Sequence, residues 1–183
     1  MHVQPTPTKL ALGLALLGSL SFSAHANSSS REARVGDHLS LALPAGMLAY
    51  ELVRGDREGA WQLAQTFALT TATTEVLKRN TKVTRPDGSN DLSFPSGHAA
   101  RAFSAAAYAR KRHGMEVAWP LYVAATYVGH TRVDARRHRW GDVAASALLA
   151  EGFAHWRVTP AGAQVQASVG PDGAFVALNW TLR

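Results

Sequence analysis

The sequence predicts an all-α helical bundle followed by a small β-hairpin, and three observations lead to that fold class. Apolar residues recur at helical spacing in five segments, roughly Asp37 to Arg54, Gly59 to Lys78, Gly97 to His113, Glu116 to Val128 and Arg139 to Trp156, the pattern of helices that each bury one face. From Val158 the period changes. The runs "AQVQASV", "GPDG" and "AFVALNWTL" alternate apolar with polar or small residues around a turn signal, which predicts a hairpin with Val176, Leu178, Trp180 and Leu182 on one face. The length of 183 residues suits one domain with a core of its own and is too short for two of ordinary size.

Taken in order, residues 1–26 read as an export signal: one charge at Lys9, an apolar run from Leu10 to Phe22, and Ala24 and Ala26 at the small-residue positions of a cleavage site. Thirteen apolar residues at about 1.5 Å each fall short of a bilayer core of roughly 30 Å, so cleavage after Ala26 is expected rather than anchoring. Residues 27–36 are polar and serine-rich and are expected to be a linker with nothing to bury. The bundle is expected over 37–157, with Pro44 and Pro120 starting or kinking their helices. The second segment carries no charge from Gly59 to Thr74 but holds Gln62, Gln65 and five threonines, and no run reaches about 18 apolar residues, so a soluble protein is expected. The hairpin extension takes 158–183.

Composition narrows the chemistry. With no cysteine, an exported chain has no disulfide framework, thiolate metal site or cysteine nucleophile. The net charge of +6, or +5 once Lys9 leaves with the signal, favours anionic partners such as phosphate esters or acidic lipid surfaces. No basic, aromatic-interleaved repeat or helix-turn-helix pattern is present, so no nucleic-acid partner is expected.

Three stretches carry the chemistry. In "SFPSGHAARAFSA", Pro95 to Gly97 read as a turn that opens a helix of small residues. Such a turn aims unpaired backbone N–H groups at one point and favours an anion there, with the Ser96 hydroxyl and the titratable His98 beside it. In "KRNTKVTRP", Lys78 at a helix end and Arg85 on a loop can converge on one anion. In "TRVDARRHRWGD", Arg132 precedes His138 by six and Asp142 follows it by four. A helix starting near His138 would put imidazole and carboxylate one turn apart, the carboxylate holding one ring nitrogen and leaving the other free.

In order and spacing, K-x6-R-P at Lys78 to Pro86, P-S-G-H at Pro95 to His98 and R-x5-H-x3-D at Arg132 to Asp142 resemble the signature motifs of the type 2 phosphatidic acid phosphatase superfamily. That superfamily includes bacterial acid phosphatases, membrane lipid phosphatases and vanadium-dependent haloperoxidases. One departure is Thr131, where serine usually precedes the arginine. The resemblance implies a helical bundle and a metal-independent phosphatase in which His138 attacks phosphorus, Asp142 orients it and His98 protonates the leaving oxygen. Lys78, Arg85, Ser96, Gly97 through its N–H, and Arg132 would hold the phosphoryl oxygens. No cofactor is implied, and vanadate is expected to inhibit. The substrate would be a small phosphate ester or a lipid-linked phosphate, the latter with peripheral membrane contact, and the location the bacterial periplasm. Two rival readings are a haloperoxidase, whose chains are usually much longer, and a non-enzymatic anion-binding surface protein, which would not need Asp142. His113, His130 and His155 lie outside the motifs and are expected to be packing or surface residues. Arg136, Arg137 and Arg139 crowd His138, as a solvated cationic face or as a lure for anions.

Overall fold

In the computed structural model, residues 8–170 and 173–180 are described, with side chains over 31–162. The chain runs α1 (Thr8–Arg54), α2 (Arg57–Thr81), α3 (Gly97–His113), α4 (Met115–Asp134), α5 (Trp140–Arg157), β1 (Ala163–Gly170) and β2 (Gly173–Trp180). The two strands pair antiparallel, with Ala163 opposite Trp180 and Gly170 opposite Gly173. Pro171, Asp172 and Leu182 of the expected hairpin lie outside the described residues.

Helix α3 packs against α1, α2, α4 and α5, and its composition explains how one helix meets four others. Ala99, Ala100, Ala102, Ala105, Ala106, Ala107 and Ala109 are all fully buried, so neighbouring backbones approach closely on every side. Tyr108 is the largest fully buried side chain among the described residues. A larger residue at any of these alanines would overpack the centre, at a cost of about 1–3 kcal/mol. A comparable close approach joins α4 to α5, where a Cβ on Gly129 would lie 2.6 Å from Val143 Cγ1.

The threonines of α2 are an interior surface. Thr66, Thr70 and Thr74 are buried, and the hydroxyls of Thr66 and Thr70 donate to the carbonyls of Gln62 and Thr66 at 2.8 and 2.7 Å. These two hydroxyls are thereby satisfied within their own helix, which lets a polar sequence fill a core position, while the Thr74 hydroxyl is buried without a partner. Asp56 caps α2 by accepting from Gly59 N at 2.8 Å, and it pairs with Arg112 of α3 at 2.6 Å. Arg112 also donates to the Thr159 carbonyl at 3.0 Å, tying down the end of α5.

Two expectations need correction. Residues 27–36 lie within α1 rather than in a linker. Their polarity suggested nothing to bury, yet Gly36 is buried against α4, where the neighbours are themselves polar. Pro44 and Pro120 do not start their helices but lie inside α1 and α4. No described helix is long and apolar enough to cross a membrane.

Candidate active site

One end of the bundle gathers the C-terminal end of α2, the loop into α3, the C-terminal end of α4 and the loop into α5. The α2–α3 loop is built on its own hydrogen bonds: Arg85 N to Asn90 O and Gly88 N to Arg85 O, both at 2.9 Å. Ser93 N to Val83 O, also 2.9 Å, closes its base. The Phe94–Pro95 peptide is cis, and α3 begins at Gly97. Between these elements lies a cavity of about 470 Å³ lined by Ala33, Asp37, Arg85, His98, Arg132, Ala135, Arg137 and His138.

His138 is buried, and its Nδ1 donates to the Ser93 carbonyl at 2.7 Å. A carbonyl can only accept, so the ring proton sits on Nδ1 and the lone pair on Nε2. Asp142 Oδ2 lies 3.5 Å from the same Nδ1. Its closer partners are Ser93 Oγ at 2.6 Å and Arg139 N at 2.8 Å. This corrects the expectation that His138 and Asp142 share a helix face. Helix α5 starts at Trp140 with Arg139 as its N-cap, and Asp142 is the capping carboxylate of its first turn. His138 precedes the helix, and Asp142 reaches it together with Ser93. Burial, with Lys78 and Arg85 nearby, pushes the His138 imidazole down to about 4, which leaves Nε2 unprotonated at neutral pH.

His98, the second residue of α3, has Nε2 2.8 Å from Asp37 Oδ1. Burial and the cations Arg101 and Arg132 push it down to about 4 as well. Arg132 is buried and fully engaged: Nη1 meets Asp37 Oδ1 at 2.6 Å, Nη2 donates to the Ala33 carbonyl, and Nε contacts Thr131 Oγ1 at 3.2 Å. The Thr131 hydroxyl in turn donates to Val128 O at 2.8 Å.

Of the remaining predicted residues, Arg85 lines the cavity and Lys78, Ser96 and Gly97 are not among its lining. Lys78 is buried and does not line the cavity; its ammonium donates to the carbonyls of Leu92 at 3.1 Å and Pro95 at 2.6 Å, clamping the motif loop. Burial, then the nearby Arg85, lowers its pKa. Ser96 is fully buried at the N-cap of α3, with N bonded to Asp142 O at 3.2 Å, while its hydroxyl has no partner. Arg85 Nε is also buried without a partner. A Cβ at Gly97 would meet nothing within 4 Å, so space is open at the start of α3.

Arg137 lines the cavity while pairing with Asp87 at 3.2 Å, and Arg139 donates to Thr84 O at 3.0 Å. Outside the site, His113 pairs with the buried Glu51 at 2.5 Å and His130 stacks on Trp140. Sequence reasoning missed Ser93, Asp37, Ala33 and Gly36. Ser93 borders a recognised motif, but nothing local marks the other three. Among the described residues, no group of three or more His, Asp or Glu side chains is placed to hold a metal ion.

The PAP2 superfamily profile matches residues 59–163, more than half of the chain and all three motifs. The chain belongs to the PAP2 superfamily. Over 71 residues it is 38% identical to the lipid A 4'-phosphatase of Helicobacter pylori, a stretch covering 39% of this chain and 36% of that protein. The chain thus spans little more than a third of that relative's length. The crystal structure of Aquifex aeolicus LpxE shares the fold, with a TM-score of 0.59 at 22% identity over 70% of this chain and 82% of that one. The Thr131 hydroxyl, the part a serine would share, faces α1 at a glycine: a Cβ on Gly36 would lie 2.1 Å from Thr131 Oγ1.

Proposed function

We propose that this PAP2 protein is a metal-independent phosphatase that hydrolyses phosphate esters through a phosphohistidine on His138. The observation that carries the reading is the His138 tautomer: Nδ1 donates to the Ser93 carbonyl, so Nε2 is the nucleophilic nitrogen of a ring that lines a cationic cavity. In the first step Nε2 bonds to phosphorus as the ester P–O bond breaks, and His98 gives the departing oxygen its proton. Water then attacks the phosphohistidine, with His98 now the base, and inorganic phosphate leaves. Phosphoryl transfer asks chiefly for positioning and for positive groups around charged oxygens. Arg85 and Arg132 supply charge, and the unpaired Ser96 hydroxyl and Arg85 Nε are buried donors that an arriving phosphate would satisfy. Lys78 serves by holding the loop that carries Ser96 and Gly97.

The substrate class we infer is lipid-linked phosphate, supported by the likeness to a lipid A 4'-phosphatase. The exposed Trp61, Trp119, Trp140 and Trp156, Leu148 and Val53 also support it, as apolar surface suited to a lipid aggregate. Export, with cleavage after Ala26, completes the reading; the helical part left from Asn27 retains Ala33 and Asp37. A phosphate-release screen of the purified chain tests this, comparing phosphatidic acid and polyprenyl diphosphate with sugar phosphates and nucleotides, and His138→Ala as the blank. Release from the lipid substrates above the soluble ones is the expected result; release from none of them refutes the function.

A further inference from the structure

Helix α1 precedes the segment matched by the family profile, yet it places a carboxylate in the cavity. Asp37 Oδ1 lies 2.8 Å from His98 Nε2 and 2.6 Å from Arg132 Nη1. An aspartate on a half-exposed helix face is ordinarily solvated, but this one sits on a seat built for it. One turn earlier the Ala33 carbonyl accepts from Arg132 Nη2. A Cβ at Gly36 would lie 2.1 Å from Thr131 Oγ1 and 2.9 Å from Arg132 Nη2, so glycine is what lets α1 come this near. Ser40 Oγ donates to the Asp37 carbonyl at 2.8 Å and lies 3.5 Å from Arg101 Nη2.

We propose that Asp37 is the positioning residue of the acid. It accepts the Nε2–H of His98, fixes the ring and the Arg132 fork together, and leaves Nδ1 as the nitrogen that delivers a proton to the leaving oxygen. The proposal rests on the role assigned to His98 above. The dyad mirrors the one at the nucleophile, where a fixed partner on one nitrogen frees the other. The proton balance is simple: imidazolium loses the Nδ1 proton to the departing oxygen, the remaining proton stays on Nε2 against Asp37, and the second step returns a proton from water to Nδ1. The arginines nearest His98 oppose its protonation, Arg101 from α3 itself and Arg132 from α4, and Arg85 from the α2–α3 loop and Arg137 ahead of α5 line the same cavity. Asp37, from α1, favours protonation. Without Asp37 the acid would lose its orientation, and its pKa would fall further.

The test uses Asp37→Asn and Asp37→Glu in the full chain, with p-nitrophenyl phosphate as the good leaving group and glycerol phosphate as the poor one. Asp37→Asn should lower kcat on glycerol phosphate by about 10–100-fold and on the nitrophenyl ester by less than about threefold, because only a basic leaving oxygen needs the proton. The basic limb of the kcat profile should move down by about one pH unit, and Asp37→Glu should recover most of the loss. Equal losses on both substrates, an unmoved limb, or faster turnover with tighter phosphate binding would overturn the proposal, the last by making Asp37 a plug in the anion site. NMR titration of the His98 ring without substrate separates this from the wider reading. If no ester is hydrolysed the proposed function fails, while a His98 pKa unchanged by Asp37→Asn overturns the Asp37 assignment by itself.

Discussion

Replacing Ser93 with alanine removes one hydroxyl and spares everything else that touches His138. Ser93 Oγ donates to Asp142 Oδ2 at 2.6 Å, and both residues are buried, at 0% and 4% exposure. A hydrogen bond to a buried carboxylate contributes about 1.5–3 kcal/mol. The Ser93 carbonyl, which accepts from His138 Nδ1 at 2.7 Å, belongs to the backbone and remains. So does the bond from Arg139 N to Asp142. The ring therefore keeps its tautomer, but the carboxylate that stabilises its developing positive charge loses one of its two close partners and can drift from 3.5 Å. If that energy is lost in the transition state, kcat falls about 10–100-fold with KM nearly unchanged. Asp142→Asn should cost more, since it removes the charge itself. The assay is steady-state hydrolysis of p-nitrophenyl phosphate by Ser93→Ala and Asp142→Asn, with urea midpoints measured in parallel. A Ser93→Ala enzyme that is less stable yet turns over within about twofold of wild type would show that Ser93 only packs, and the account of how Asp142 acts would fail.

Further outcomes follow from the same geometry. His138→Ala should abolish turnover and the acid-labile phosphoenzyme, and should weaken vanadate inhibition far more than phosphate binding, because vanadate takes a histidine nitrogen at one apex; retained vanadate affinity would contradict this. Activity should survive EDTA, and loss with rescue by a divalent ion would refute the metal-independent mechanism. The imidazoles of His98 and His138 are held near 4 in the fold against 6.5 when free. The unfolded chain therefore binds more protons between those values, and stability should fall as pH drops from about 6.5 to 4. Urea midpoints at pH 7 and 4.5 check this, and a His98→Gln, His138→Gln double variant should flatten the fall. N-terminal sequencing of the exported protein should begin at Asn27; a mature chain retaining Leu10 would make the apolar run an anchor.

Helix α3 was legible from its residues because periodicity and capping are local: the expected Gly97 to His113 is the observed helix. The other bundle helices were legible within a few residues at most ends. The same holds for His138, His98, Arg132 and Asp142, whose types and spacings lie within short stretches. The start of α1 was not legible. Serine and charge along 27–36 signal solvent wherever burial is judged by apolar content, yet Ala33 and Gly36 of this stretch meet polar Thr131 and Arg132. Lys78 was legible as a motif residue, but that its ammonium donates to the Leu92 and Pro95 carbonyls depends on where the following loop folds back. Asp37 meets Arg132 across 95 positions and Ser93 meets Asp142 across 49. The chemical inventory of the site is written along the chain because motifs are short-range. How each group is held, and that α1 contributes to the site at all, was decided only when five helices closed on an alanine-lined centre and brought distant polar side chains within hydrogen-bond reach.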